Sequence, residues 1–246
     1  MNYPIDRFIY WIEERESIRM KKQAGLPKPW TNNEILRTYR FCNVRRMDDK
    51  VSRWLLTNWY SPNFNHENML AACALARHFN KPESLKMIGF PHKWEPSKIK
   101  KVLRAKAGPI FNGAYIVSAG SGRFSSKIEY VVDGVVGELL RSKPYLNTDS
   151  VQECVETLRG CNGFGWFMAG QVVADLRWSI SGGWYDKHTW AAMGPVSRRG
   201  MHMLKEREIS HRLSQEQFNE ELFEVMELCQ KVLPIGITDR LEAIDY

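Results

Sequence analysis

The sequence predicts a mainly α-helical protein, and three observations carry that expectation. Apolar residues recur three and four apart along most of the 246 residues, the spacing that builds one face of a helix. Capping residues open several of these stretches and glycines close them. Only the segment 108–126 departs from the helical period.

Taken in order, Phe8, Ile9, Trp11 and Ile12, followed by charge from Glu13 to Lys22, make a first amphipathic helix that ends at Gly25. Thr31 with Glu34 three residues later forms a capping box. Ile35, Leu36, Tyr39 and Val44, then Val51, Trp54 and Leu55, place helices on either side of a break near Asn43. Residues 68–79, "NMLAACALARHF", are alanine-rich and apolar on most sides, as suits a buried helix. Pro82, Pro91 and Pro96 punctuate short elements, and residues 95–108 read as an amphipathic helix with a basic outer face. The segment "GPIFNGAYIVSAGSGRFSS" fits either a buried extended stretch or a tightly packed helix, with a Gly/Ser turn over 120–126. Helical spacing returns in "SKIEYVVDGVVGELLRSKP" and "SVQECVETLRGC". A glycine hairpin then leads into a helix from Phe164 to about Trp178, and Gly182-Gly183 make a turn. The last helix, Ser214 to Val232, is capped by Ser214. No repeat, low-complexity stretch or long polar linker interrupts the chain, so a single domain over 1–246 is expected.

Lys and Arg number 35 against 28 Asp and Glu, a net charge of +7, which tilts the protein towards polyanions. With 43% apolar and 12% aromatic residues the chain is globular in composition. The N-terminus has no signal-peptide core and no apolar run approaches the roughly 20 residues that span a bilayer, so a cytoplasmic protein with no membrane partner is expected. Five scattered cysteines without a CxxC pair indicate neither a disulfide framework nor zinc. The histidines show no metal-ligand spacing, and no GxxxxGK[ST] phosphate loop is present. Neither a metal nor another cofactor is expected.

The chemistry-bearing residues concentrate in "GCNGFGWFMAGQVVADLRW" (160–178) and "DKHTWAAMGPVSRRG" (186–200). Gly163 and Gly165 permit a tight turn and close approach of backbone to a phosphate, and the N-terminus of the following helix points at that anion. Asp186 lies 23 residues beyond Gly163. This arrangement resembles the helix-hairpin-helix DNA glycosylases, in which a leucine-led Gly-x-Gly hairpin grips DNA and a downstream Asp does the chemistry. Leu158, Gly163, Gly165, Asp186 and His188 occupy the matching places, with the helix-hairpin-helix element at about 150–178. The lysine of bifunctional members is absent, its region being Trp166, Phe167 and Met168.

A second set of motifs, "LPKPWTNNEILRTYRFCNVRRMDDKVSRWL", "GPIFNGAYIVSAG" and "GPVSRRGM", is similar to the phage alpha-glutamyl/putrescinyl thymine pyrophosphorylases. Their relatives include the helical domain of 5-hydroxymethyluracil DNA kinases and the amino acid:DNA transferases. The resemblance runs from about Trp11 to Met201. It implies a helix-hairpin-helix, DNA-glycosylase-like helical fold and a phage protein working in the bacterial cytoplasm. The implied substrates are double-stranded DNA carrying phosphorylated hydroxymethyluracil and a free amino acid or polyamine, with a 5-hydroxymethyluracil DNA kinase as candidate partner. The implied reaction displaces phosphate or pyrophosphate from the methylene carbon of the base and forms a carbon–nitrogen bond.

Such a reaction needs a base, cations and a pocket. Asp186 is the candidate base, or else the N-cap of a helix over 187–193; Asp175 is its rival. Arg198, Arg199 and Lys187 suit the leaving phosphate, or form a solvated basic turn. Asn43, Arg45 and Arg46 suit the substrate. Trp30, Tyr115 and Trp166 offer flat walls for an extruded base, alongside Phe41, Phe111 and Trp190, though each also suits a core. His188 either donates to a phosphate or is structural. A monofunctional glycosylase and a non-catalytic DNA-binding module remain the competing functions.

Overall fold

The computed structural model describes residues 4–113 and 122–246. Tyr115 and most of the glycine-rich "GAYIVSAGSG" stretch therefore lie outside the described residues. Every regular element among the described residues is helical, as the periodicity predicts. In chain order the helices are α1 (Pro4–Gln23), α2 (Glu34–Thr38), α3 (Lys50–Leu55), α4 (Met69–Phe79), α5 (Pro82–Ile88) and α6 (Pro96–Arg104). There follow α7 (Lys127–Glu129), α8 (Gly137–Ser142), α9 (Val151–Arg159), α10 (Trp166–Leu176), α11 (Pro195–Leu204), α12 (Gln215–Val232) and α13 (Ile235–Thr238). Two π-helical stretches, Leu56–Tyr60 and Tyr130–Val136, continue α3 and join α7 to α8.

The chain divides into two units, a central one over 50–186 and a terminal one made of 1–49 with 187–246. No composition shift or linker marks this division in the sequence.

In the central unit, α10 packs against α4 and α9. Ten of the eleven residues of α4 are buried, four of them alanine, and α10 buries Ala169, Gly170, Val172, Val173, Ala174 and Leu176. Small residues on both helices allow their backbones to approach closely. One polar network lies inside this apolar packing. Arg77 of α4 reaches Asp175 of α10 through two bonds, Nε to Oδ2 at 2.5 Å and Nη2 to Oδ1 at 2.6 Å. The Tyr60 hydroxyl donates to Asp175 Oδ2 at 2.5 Å. Burial and the neighbouring carboxylate push the Tyr60 pKa well up. Asp175, the rival base in the sequence, is thus committed to a buried ion pair.

In the terminal unit, α1, α11 and α12 pack on one another. The core is built from Ile9, Ile12, Val44, Met201, Phe218, Leu222, Val225, Met226 and Cys229. Two capping expectations are corrected here. Asn33, and not Thr31, caps α2: its side chain accepts from Leu36 N at 3.0 Å, while Thr31 Oγ1 accepts from Asn33 N. Residues 187–189 form a turn and 190–193 are irregular, with no helix, so Asp186 cannot be their cap. The helix in this region begins later, at Pro195, and takes in Arg198 and Arg199.

Candidate nucleic-acid interface and substrate groups

The hairpin between α9 and α10 is held from several sides within the central unit. α9 ends at Gly160, the Cys161 N–H returns to Leu158 O at 2.9 Å, and Leu158 is fully buried. Gly163 has φ of +87°, a conformation that side chains resist. A Cβ there would also lie 2.5 Å from Val135 Cγ2 and 3.2 Å from the Tyr130 hydroxyl. Asn162 donates to Gly134 O at 2.8 Å, which fastens the hairpin to the π-helical stretch. Gly134 is itself required, because the Phe124 ring occupies the place of its missing side chain. Behind the turn, the buried His78 ring sits edge-on to Phe164 with centroids 5.7 Å apart. Its Nδ1 lies 2.8 Å from Ala74 O, and it also bonds the Gly163 backbone. Burial draws the His78 pKa below its ordinary value.

The exposed side of the hairpin has a different character. Gly165, the residue before α10, has open space where a side chain would stand, and no side chain caps α10. The Arg159 guanidinium lies 3.5 Å from the centroid of Trp166, a cation–π contact at the mouth of the helix N-terminus. The sequence reading singled out Gly163, Gly165 and Trp166 but missed Arg159. The signal was present: an arginine just before the glycines, seven residues ahead of the tryptophan. Positive φ, an open backbone and an arginine at the positive end of α10 together favour an anion.

Asp186 belongs to the same assembly. It is 7% exposed. Its Oδ1 accepts from Val151 N at 2.6 Å, and its Oδ2 accepts from Gln152 N and from the Ser150 hydroxyl, both at 2.9 Å. The Ser150 hydroxyl in turn accepts from Glu153 N, so the first three N–H groups of α9 are all satisfied. The chain reaches this place because Tyr185 N donates to Asp149 O, and Gly183 N to the Asp149 carboxylate. Asp186 therefore fixes the start of the helix whose end carries the hairpin.

The remaining candidates lie in the terminal unit. Asn43 uses its amide structurally: Nδ2 donates to Asp48 O at 2.7 Å and Oδ1 accepts from Arg15 at 3.2 Å. Arg45 and Arg46 are half-buried at the start of a 3-10 turn, and Arg46 N donates to Asp245 Oδ1 at 2.7 Å. Lys187 lies 4.0 Å from Glu242, and its carbonyl accepts from Ala243 N. His188 is exposed. Trp30 donates to Leu26 O, with Lys22 and Lys28 over its ring. Arg198 and Arg199 are exposed in the first turns of α11 and meet no carboxylate among the described residues. Two arginines at the positive end of a helix repel its dipole, and an anion docked there relieves both.

Comparison with known proteins gives the chain a family. A family model for the helical domain of 5-hmdU DNA kinase matches residues 3–235. The chain belongs to that family. The match runs from α1 to the first residue of α13, so it takes in the whole central unit with its hairpin and the terminal unit up to residue 235. A 5-hmdU DNA kinase of Bacillus phage SP10 is 26% identical over 196 residues, covering 70% of this chain and 30% of the phage kinase. The chain thus spans less than a third of that relative. No solved structure matches. Among the described residues, no helix of this family member is long and apolar enough to cross a membrane, and no cluster of three metal-ligating side chains is found.

Proposed function

We propose that the protein modifies thymine-derived bases in phage DNA, as an amino acid or polyamine:DNA transferase on 5-phosphomethyl-deoxyuridine. The observation that carries this reading is the family match over 3–235, to the helical domain of a kinase named for a hydroxymethylated base. The amine nitrogen attacks the methylene carbon; the carbon–nitrogen bond forms as the carbon–oxygen bond breaks. The phosphate leaves with the electron pair and the nitrogen gives up a proton.

Each unit supplies its own groups. The central unit holds duplex DNA through Gly163, Gly165 and Trp166, with Arg159 added, in a glycosylase-like helix-hairpin-helix. Asp186 acts as proton acceptor or orienter of the amine while fixing α9. In the terminal unit Arg198, Arg199, Lys187 and His188 neutralise the departing phosphate, and Asn43, Arg45 and Arg46, with Trp30, receive base and amine. Incubation with phosphomethyluracil DNA should release phosphate only when an amine is supplied. Amine-independent release, or none with any amino acid or polyamine, refutes the reading.

The full engagement of Asp186 at α9 favours one second reading, a non-catalytic DNA-binding module that serves a separate 5-hydroxymethyluracil DNA kinase. Asp186→Asn separates the two: the transferase loses turnover while retaining duplex binding, whereas the module has no turnover to lose.

A further inference from the structure

The terminal unit exposes a second feature that the transfer chemistry leaves unused. After α2 the chain runs without regular structure through Tyr39, Arg40 and Phe41. Tyr39 is 67% exposed and Phe41 38% exposed, which is unusual for large rings on an irregular segment. Arg37 and Arg40 beside them are exposed and meet no carboxylate among the described residues. From Leu26 through Arg46 the sequence holds five cations, Lys28, Arg37, Arg40, Arg45 and Arg46, and a single acid, Glu34.

The backbone under these rings is not loose. Arg15 of α1, only 9% exposed, donates through Nε to Cys42 O at 3.0 Å, and through Nη2 to Phe41 O and Asn43 Oδ1, both at 3.2 Å. A buried cation thus uses its guanidinium fork to hold the carbonyls of a segment whose aromatic side chains point outward. At the other end, Asn33 caps α2 and Tyr39 N returns to Ile35 O at 2.9 Å. Fixed backbone, solvent-facing rings and unpaired arginines make a surface whose ordering cost is met in advance of binding.

We propose that Tyr39 and Phe41, flanked by Arg37 and Arg40, form a stacking platform for unpaired nucleotides of a DNA strand. The rings stack on bases of any sequence and the arginines meet the phosphates. Charge decides the occupant: the excess of cations along this segment fits a polyanion. The platform shares with the transferase reading only that the protein acts on DNA.

The test is fluorescence anisotropy with the full chain. The probes are a labelled oligothymidylate of roughly 12 nucleotides, about one site for such a surface, and a duplex of the same length. Tyr39→Ala with Phe41→Ala should weaken single-strand binding roughly ten- to a hundredfold and change duplex binding less than about twofold. Tyr39→Phe keeps the ring and should bind like the wild type. Arg37→Gln with Arg40→Gln should flatten the single-strand salt dependence by a slope of about 1 to 1.5. Unchanged single-strand affinity in the alanine pair overturns the proposal and leaves the surface to another occupant, such as a protein. An equal fall for both probes, with unaltered thermal unfolding, also overturns it. No turnover is measured, so failure of the transferase reading leaves this result standing.

Discussion

Asp186 spends both carboxylate oxygens on the start of α9, so its loss is felt first as stability. Asp186→Ala strands two backbone N–H groups and a hydroxyl, at a cost of about 2 to 3 kcal/mol in urea unfolding. Ser150→Ala, which removes one acceptor at the same end, should cost about 1 kcal/mol. His78 gives a pH signature. Because burial lowers its pKa in the folded protein, the unfolded chain binds a proton that the folded chain refuses. Stability is therefore full above about pH 6.5 and falls as pH drops below it. Glu16, whose pKa is lowered chiefly by its bond to Arg19, adds a loss only below about pH 4.3. The melting temperature should fall between pH 7 and 5.5, and His78→Asn should flatten that slope; an unchanged slope refutes the assignment. The spacing from Gly163 to Asp186 was legible in the sequence. The partner of Asp186 was not, since it lies 35 residues back at Val151 and no local pattern couples the two.

At the scale of elements, the hairpin was legible because glycines are needed where φ is positive, and Gly163 has that conformation. Gly163→Ala combines an unfavourable φ with a clash against Val135 and should cost about 1 to 3 kcal/mol. It should also weaken duplex DNA binding, read by anisotropy. Arg159→Ala should leave stability nearly unchanged and lower the salt slope of duplex binding by about 0.9, the share of one phosphate. The π-helical stretch that receives Asn162 was not legible, because "YVVDGVVG" has an ordinary helical pattern of apolar residues. Helix α11 was hidden for an electrostatic reason. Its first turns carry Arg198 and Arg199, where the dipole disfavours cations, so the segment reads as a basic turn. α12, with Ser214 and Gln217 forming a capping box, lies where its cap and apolar stripe place it.

For the whole molecule, the helical class followed from periodicity, while the division into two units did not, because residues 1–49 and 187–246 come together only in three dimensions. Within the central unit the Arg77–Asp175 pair joins α4 to α10, and neither partner can be removed alone. Arg77→Leu leaves a buried carboxylate beside Tyr60 and should destabilise by about 3 to 5 kcal/mol in denaturant unfolding. The transferase reading belongs to this scale as well. Its most direct test is mass spectrometry of nucleosides digested from phosphomethyluracil DNA after incubation with the protein and 15N-labelled amino acids or putrescine. The account predicts a new nucleoside that has lost phosphate and gained the labelled amine. Phosphomethyl-deoxyuridine, or the hydroxymethyl-deoxyuridine that digestion makes of it, recovered without label for every amine, or abasic sites in its place, would contradict it.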